Sequence, residues 1–246
     1  EKGFLPDFET IPKEVVKMAK LMFLNYPHNP TGSVCDIKFF EKAVEWGKDK
    51  NIIIAHDLTY SDLVYDGYKA PSFMQVKGAR DFGIEFHTLS KSYNMTGWRI
   101  GYAVGNADIL KTLAKTKSYL DFGIFRAVQE AAIAALDGPQ DCIANMVKLY
   151  QERRDVLVDG LNAIGWKTEK PKATFYVWSR IPLKYSALTA LEFATVMLDE
   201  VGVVVSPGTG FGEYGEGYVR FALVEPKERI QLALKKIKTF LEKRTD

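Results

Sequence analysis

Lys91 stands in the run Thr88-Leu89-Ser90-Lys91-Ser92-Tyr93-Asn94-Met95-Thr96-Gly97-Trp98-Arg99, after an apolar stretch, Phe82 to Leu89, that predicts a buried strand. An amine just past a strand end can capture a carbonyl carbon as a Schiff base. The hydroxyls of Thr88 and Ser90, with the guanidinium of Arg99 eight residues beyond the lysine, can hold a phosphate. A phosphorylated aldehyde suits all of these groups at once. Taken alone, Lys91 and Arg99 read first as a solvated pair on a loop, because both residue types are usually exposed.

The elements around this run decide between the two readings. Leu21 to Asn25 is a short apolar run that ends in a turn-rich loop, Tyr26-Pro27-His28-Asn29-Pro30-Thr31-Gly32. Asp36 to Lys50 predicts a helix with Asp36 as N-cap and Phe39, Phe40, Ala43, Val44 and Gly47 on one face. Ile52 to Ala55, Gly83 to Leu89 and Arg99 to Val104 predict further strands. Apolar strands alternating with helices imply a parallel sheet covered on both faces. In such sheets ligands bind beyond the carboxyl ends of the strands. Asn29, Asp57 and Lys91 each follow such an end, and Tyr60 lies three residues past Asp57.

Gln140 to Ile164 predicts one long helix that Gly165 ends and that crosses between domains. Beyond it, Thr174 to Trp178, Val203 to Val205 and Tyr218 to Leu223 read as strands, Ala190 to Val201 as an amphipathic helix and Pro226 to Lys243 as a last helix. The expected division is therefore 1–138, the long helix 139–165, and a smaller α+β domain 166–246.

Composition narrows the function classes. The 246 residues are 47% hydrophobic and 26% charged, as in ordinary globular proteins, and a net charge of +2 makes no case for nucleic acid. No apolar run approaches membrane-spanning length, and the first residues lack the basic-then-apolar layout of a signal peptide, so a cytoplasmic protein is expected. Cys35 and Cys142 read as free thiols; neither they nor His28, His56 and His87 show metal-ligand spacing, and no metal site is expected.

Pyridoxal phosphate is a phosphorylated aldehyde for which each of these residue types has a task. Asp57 can keep the pyridine nitrogen protonated, which makes the ring an electron sink. Asn29 and Tyr60 can bond the ring hydroxylate, Thr88, Ser90 and Arg99 the phosphate, and Lys91 the aldehyde carbon. Singly, Asp57 reads as a cap or turn residue, Asn29 as a turn residue, Thr88 and Ser90 as capping or turn groups and Arg220 as an edge or surface charge, while Tyr60 reads equally as core and as a site residue.

As an ordered set, Asn25-Tyr26-Pro27-His28-Asn29-Pro30-Thr31-Gly32, Asp57-Leu58-Thr59-Tyr60, Ser90-Lys91 with Arg99, and Tyr218-Val219-Arg220-Phe221 resemble the class I/II aminotransferases of fold type I. The resemblance implies an α/β large domain with a parallel-rich sheet, incomplete here, plus a C-terminal α+β domain. It implies pyridoxal 5'-phosphate as cofactor, with Lys91, Asp57 and Tyr60 catalytic and Asn29, Thr88, Ser90 and Arg99 completing its binding set. It gives the substrate α-carboxylate to Arg220 and Asn29, through bidentate guanidinium geometry. It also implies a cis peptide at Asn29–Pro30 and, in the full-length enzyme, a homodimer. The family's chains carry further elements upstream of Asn29, among them a phosphate-binding helix start. An N-terminally shortened chain that binds the cofactor weakly by itself is therefore expected. The runs Asp66 to Ser72 and Gly83 to Arg99 look closest to aminotransferases acting on LL-diaminopimelate or alanine, then aspartate, with a 2-oxo acid such as 2-oxoglutarate as acceptor. A non-catalytic cofactor-binding regulatory domain and another fold-type I enzyme, such as a β-lyase, are the alternatives.

Overall fold

The computed structural model describes residues 3–243; the outermost residues of the expected first and last domains, 1–2 and 244–246, lie outside the described residues. The chain divides into two compact units, 1–28 with 33–145, and 29–32 with 146–246. The first contains α1 (Lys13–Met18), β1 (Leu21–Asn25), α2 (Ile37–Lys50), β2 (Ile53–Asp57), α3 (Ala79–Phe82), β3 (Gly83–Thr88), α4 (Leu89–Ser92), β4 (Gly101–Gly105), α5 (Ala107–Leu120) and α6 (Arg126–Asp137). Helix α7 (Asp141–Ala163) starts in the first unit and continues into the second.

Local chemistry explains α2. The Asp36 carboxylate caps its first turn by accepting from the Phe39 amide at 3.0 Å, and Asn51 closes it in the left-handed conformation (φ 53°). Phe39, Phe40, Ala43, Val44 and Gly47 are all buried, in one core with Leu24, Ile52, Ile54 and Phe73. Gly47 is required there, since a Cβ would meet the Ile52 carbonyl at 2.8 Å.

The four-stranded sheet has the order β1-β2-β3-β4. β1, β2 and β3 are parallel, with Asn25 paired to Asp57 and Asp57 to Phe86 in register, so the carboxyl ends of all three lie along one sheet edge. Two expectations need correction. β4 runs antiparallel to β3. The Leu89 amide bonds the Ile100 carbonyl at 3.3 Å, so the connection folds back to the end of the sheet it left and makes no crossover. Nor is the sheet covered on both faces: Phe23 on β1 and Tyr102 on β4 are 71% and 44% exposed.

The second unit holds β5 (Tyr176–Arg180), α8 (Ala190–Val196), β6 (Ser206–Pro207), β7 (Tyr218–Ala222) and α9 (Lys227–Lys243). Its sheet is antiparallel with the order β5-β7-β6. Val177, Val219 and Phe221 face a core that includes Trp166, Phe193, Met197 and Ile237, where Trp166 packs edge-on against Phe193 and Phe221. Helix α7 ends as expected at Gly165 (φ 84°), where the Trp166 amide bonds back to the Leu161 carbonyl at 2.9 Å. The expected strand at Val203–Val205 does not form. After α8 the helix widens over Met197–Val201, Gly202 turns left-handed, and the Val203 amide closes onto the Met197 carbonyl at 3.0 Å. Val204 is left exposed, and of the segment 203–207 the residues paired with β7 are Ser206 and Pro207. β-branched composition predicts a strand there, and the closing turn of a helix overrides it. β5 likewise begins two residues later than expected, because Thr174 sits at φ 68° with its hydroxyl accepting from the Tyr176 amide.

Candidate active site

In the first unit the candidate residues gather at the carboxyl edge of the parallel strands. Asp57 ends β2; its backbone carbonyl accepts from Asn25 Nδ2 at 2.8 Å, and its Oδ1 accepts from the Thr59 hydroxyl. Tyr60 follows on the next turn and is 3% exposed. Thr88 ends β3 and caps α4, its hydroxyl accepting from the Ser90 amide at 3.1 Å. Ser90 is buried, and its carbonyl accepts from the Thr96 hydroxyl at 2.9 Å. Lys91 lies on α4, half-buried; burial, then the nearby positive charge of Arg99, push its ammonium below the usual lysine range. Arg99 is exposed, in the left-handed conformation (φ 52°), and donates through Nη1 to the Thr96 carbonyl at 3.0 Å. The segment thus forms a compact turn in which Thr88, Ser90 and Arg99 surround Lys91 in sequence. A depression of about 610 Å³ at the ends of β1 and β2 is lined by Asn25, Tyr26, His28 and Asp57 among others. Lys91, Tyr60, Thr88, Ser90 and Arg99 are not among its walls.

The remaining two candidates, Asn29 and Arg220, belong to the second unit and meet there. Arg220 Nη1 donates to Asn29 Oδ1 at 2.8 Å, although 191 positions separate them, and Nη2 donates to Ser206 Oγ at 3.3 Å. The guanidinium carbon stands 4.0 Å over the Tyr176 ring and 4.3 Å over the Phe211 ring. Strand register explains the grouping: Trp178 pairs with Arg220 and Arg180 with Tyr218, so Tyr176, Trp178, Tyr218 and Arg220 share the sheet face opposite the apolar core. Asn29–Pro30 is cis as expected, and Tyr26–Pro27 is cis as well.

Sequence reasoning missed Tyr176, Ser206 and Phe211. Tyr176 had a signal, the alternation of Tyr176 and Trp178 with buried Val177 and Ser179. Phe211 had none, because its place depends on the glycine-rich segment 208–217. There Gly208 and Gly215 press together so closely that a Cβ on either would run into the carbonyl of the other. Also missed was a buried polar pair beneath the edge. His56 (β2) and Glu85 (β3) are register partners, 0% and 1% exposed, with Nδ1 and Oε2 2.9 Å apart. Glu85 also accepts from the Phe73 amide at 2.6 Å and the Ser72 hydroxyl at 2.7 Å, and its Oε1 lies 3.0 Å from His87 Nε2. Burial alone would raise its pKa, but the bonds from His56, His87 and Ser72 prevail and hold it at about 2. His56 Nε2 lies 3.0 Å from the Tyr26 carbonyl, which ties β2 to the start of the loop after β1. Two polar residues facing each other in otherwise apolar neighbouring strands were the available signal.

Among the described residues no helix is long and apolar enough to cross a membrane, and no cluster of His, Cys, Asp or Glu is placed to hold a metal ion. The fold is that of the fold-type I transferases: a parallel-rich sheet with an antiparallel last strand, followed by an α+β unit. The profile of the family "Aminotransferase class I and II" matches residues 1–237, and the chain belongs to that family. It is similar to an LL-diaminopimelate aminotransferase of Moorella thermoacetica, 53% identical over 241 residues, 98% of this chain and 61% of that protein. It is also similar to the glutamate-pyruvate aminotransferase AlaC of Escherichia coli, 52% identical over 235 residues, 96% of this chain and 57% of that protein. Among solved structures, a probable N-succinyldiaminopimelate aminotransferase from Thermus thermophilus superposes with a TM-score of 0.90 at 36% identity, over 97% of this chain and 63% of that one. The chain thus spans about three fifths of the length of the curated relatives it matches.

Proposed function

We propose that this chain carries the lysine-bearing part of a pyridoxal phosphate-dependent aminotransferase. The observation that supports this most is Lys91, half-buried past the end of β3, its ammonium weakened by burial and by Arg99, with the hydroxyls of Thr88 and Ser90 before it and the Arg99 guanidinium after it suited to a phosphate. The donor chemistry of the first unit fits the cofactor: an amine for the aldehyde, Asp57 for the ring nitrogen, Tyr60 for the ring oxygen, and Thr88, Ser90 and Arg99 for the phosphate. When bound, pyridoxal phosphate supplies an electron-withdrawing ring that stabilises negative charge at a substrate α-carbon. A lowered ammonium pKa leaves more of Lys91 as the neutral amine near pH 7, which suits it to capture a carbonyl and to move a proton at that carbon. The Asp57 carboxylate stabilises a proton on the ring nitrogen. Arg220, flanked by Tyr176 and Phe211 and bonded to Asn29, orients the substrate carboxylate.

The names of the relatives, an LL-diaminopimelate aminotransferase and a glutamate-pyruvate aminotransferase, support an amino acid and a 2-oxo acid of that kind as substrates; LL-diaminopimelate, alanine or aspartate with 2-oxoglutarate as acceptor is the pairing proposed. A cytoplasmic homodimer is the assembly proposed for the complete enzyme. The test is borohydride reduction of the chain with excess pyridoxal phosphate, followed by peptide mapping. The reduced adduct is expected on Lys91 and is lost in K91A. Labelling scattered over surface lysines refutes the assignment.

A further inference from the structure

Arg220 is held in a way that a general anion site would not need. Two aromatic rings lie against its guanidinium, at 4.0 Å (Tyr176) and 4.3 Å (Phe211). Two in-plane partners, Asn29 Oδ1 and Ser206 Oγ, fix its rotation. Phe211 is itself braced edge-on by Trp178, with ring centroids 6.0 Å apart, although it is 41% exposed. The contact between Gly208 and Gly215 fixes the loop that presents it. A guanidinium donates in its own plane, where its five N–H groups point, so two rings centred 4.0 and 4.3 Å from its carbon leave an anion little room outside that plane.

We propose that Phe211, with Tyr176, is a specificity-determining residue that makes Arg220 a slot for planar carboxylates and rejects tetrahedral oxyanions of the same charge. The inference rests on the reading of Arg220 as the carboxylate-binding residue. A carboxylate is flat and lies coplanar with a guanidinium in the bidentate arrangement. A sulfonate that makes the same two bonds carries a third oxygen well out of the plane, against a ring face. That oxygen loses its hydration and gains no donor there. Removing the Phe211 ring opens one face, so the tetrahedral anion gains while the carboxylate loses little. The α-carboxylate is then chosen by shape as well as by charge.

The test uses propionate and ethanesulfonate, a charge-matched planar and tetrahedral pair with no amine to react elsewhere. Binding to the full chain is followed by NMR at the Trp178 indole N–H. The wild-type chain is expected to bind propionate about tenfold more tightly, the worth of one charge-assisted hydrogen bond. F211L is expected to narrow the preference to about threefold or less, chiefly by tighter ethanesulfonate binding, and F211Y to retain it. An unchanged preference in F211L, or none in the wild type, overturns the proposal. R220Q separates this from the underlying reading. Loss of propionate binding in R220Q upholds Arg220 as the carboxylate residue whatever F211L shows, and retention of that binding refutes both.

Discussion

Replacing Glu85 by glutamine tests whether the buried His56–Glu85 pair anchors β2, which ends in Asp57, and β3, which leads into the helix of Lys91. The carboxylate is 1% exposed and is surrounded by Ser72 Oγ, the Phe73 amide and two imidazole nitrogens at 2.6 to 3.0 Å. Glutamine keeps the shape, removes the charge, and turns an NH2 group toward groups that now donate. The fall of the Glu85 pKa from 4.5 to about 2 corresponds to about 3 kcal/mol of folding free energy. Breaking a buried pair on one side costs about the same, 3–5 kcal/mol. The sign follows from linkage: a carboxyl with a depressed folded-state pKa stabilises fully above its unfolded value, and the contribution fades as pH falls through the folded one. The E85Q penalty should therefore be complete at pH 7 and shrink steadily between about pH 4.5 and 2. Hydrogen exchange at the amides of β2 and β3 reads this locally. Protection is expected to drop about a hundredfold at neutral pH, with the gap between wild type and variant closing in acid once intrinsic exchange rates are corrected. A loss below about threefold, or one that is the same at pH 3 and pH 7, refutes the argument.

Two further outcomes follow from the geometry. Cys35 is buried, and burial, then the adjacent Asp36 charge, push its thiol up to about 12, whereas Cys142 is exposed. A disulfide-exchange reagent at pH 8 should titrate one fast thiol per chain, and C142S should remove it; two fast thiols would contradict the burial of Cys35. Gly208→Ala should force the loop 208–217 open, because its Cβ meets the Gly215 carbonyl. The expected result is a loss of about 2 kcal/mol in urea unfolding and collapse of the near-ultraviolet signal of Trp178, and unchanged values would refute the close approach.

Much of this arrangement was legible in the sequence because it is local. The capped helix after Asp36, the strand ends at Asn25, Asp57 and Thr88, and the stop at Gly165 each follow from residues within a few positions. Motif order carried the assignment of Lys91, Asp57 and Arg220 to strand ends and sheet faces. What escaped depends on closure at a distance. The direction of β4 depends on its pairing with β3 from Ile84–Gly105 to Thr88–Gly101, and the valine run at 203–205 is claimed by a helix end. The setting of Arg220 depends on Asn29 and Phe211, which reach it from segments far apart in the chain, and on cross-strand register that periodicity cannot supply.

The pinch between Gly208 and Gly215 also matters for anyone wishing to redirect the chemistry. Because the backbone of that loop is fixed by two residues without side chains, the ring at 211 is a passenger on the scaffold. A library confined to position 211 would then sample new walls beside Arg220 while the frame beneath them stays put, and Gly208 and Gly215 would be the two letters of this loop that no such library should touch.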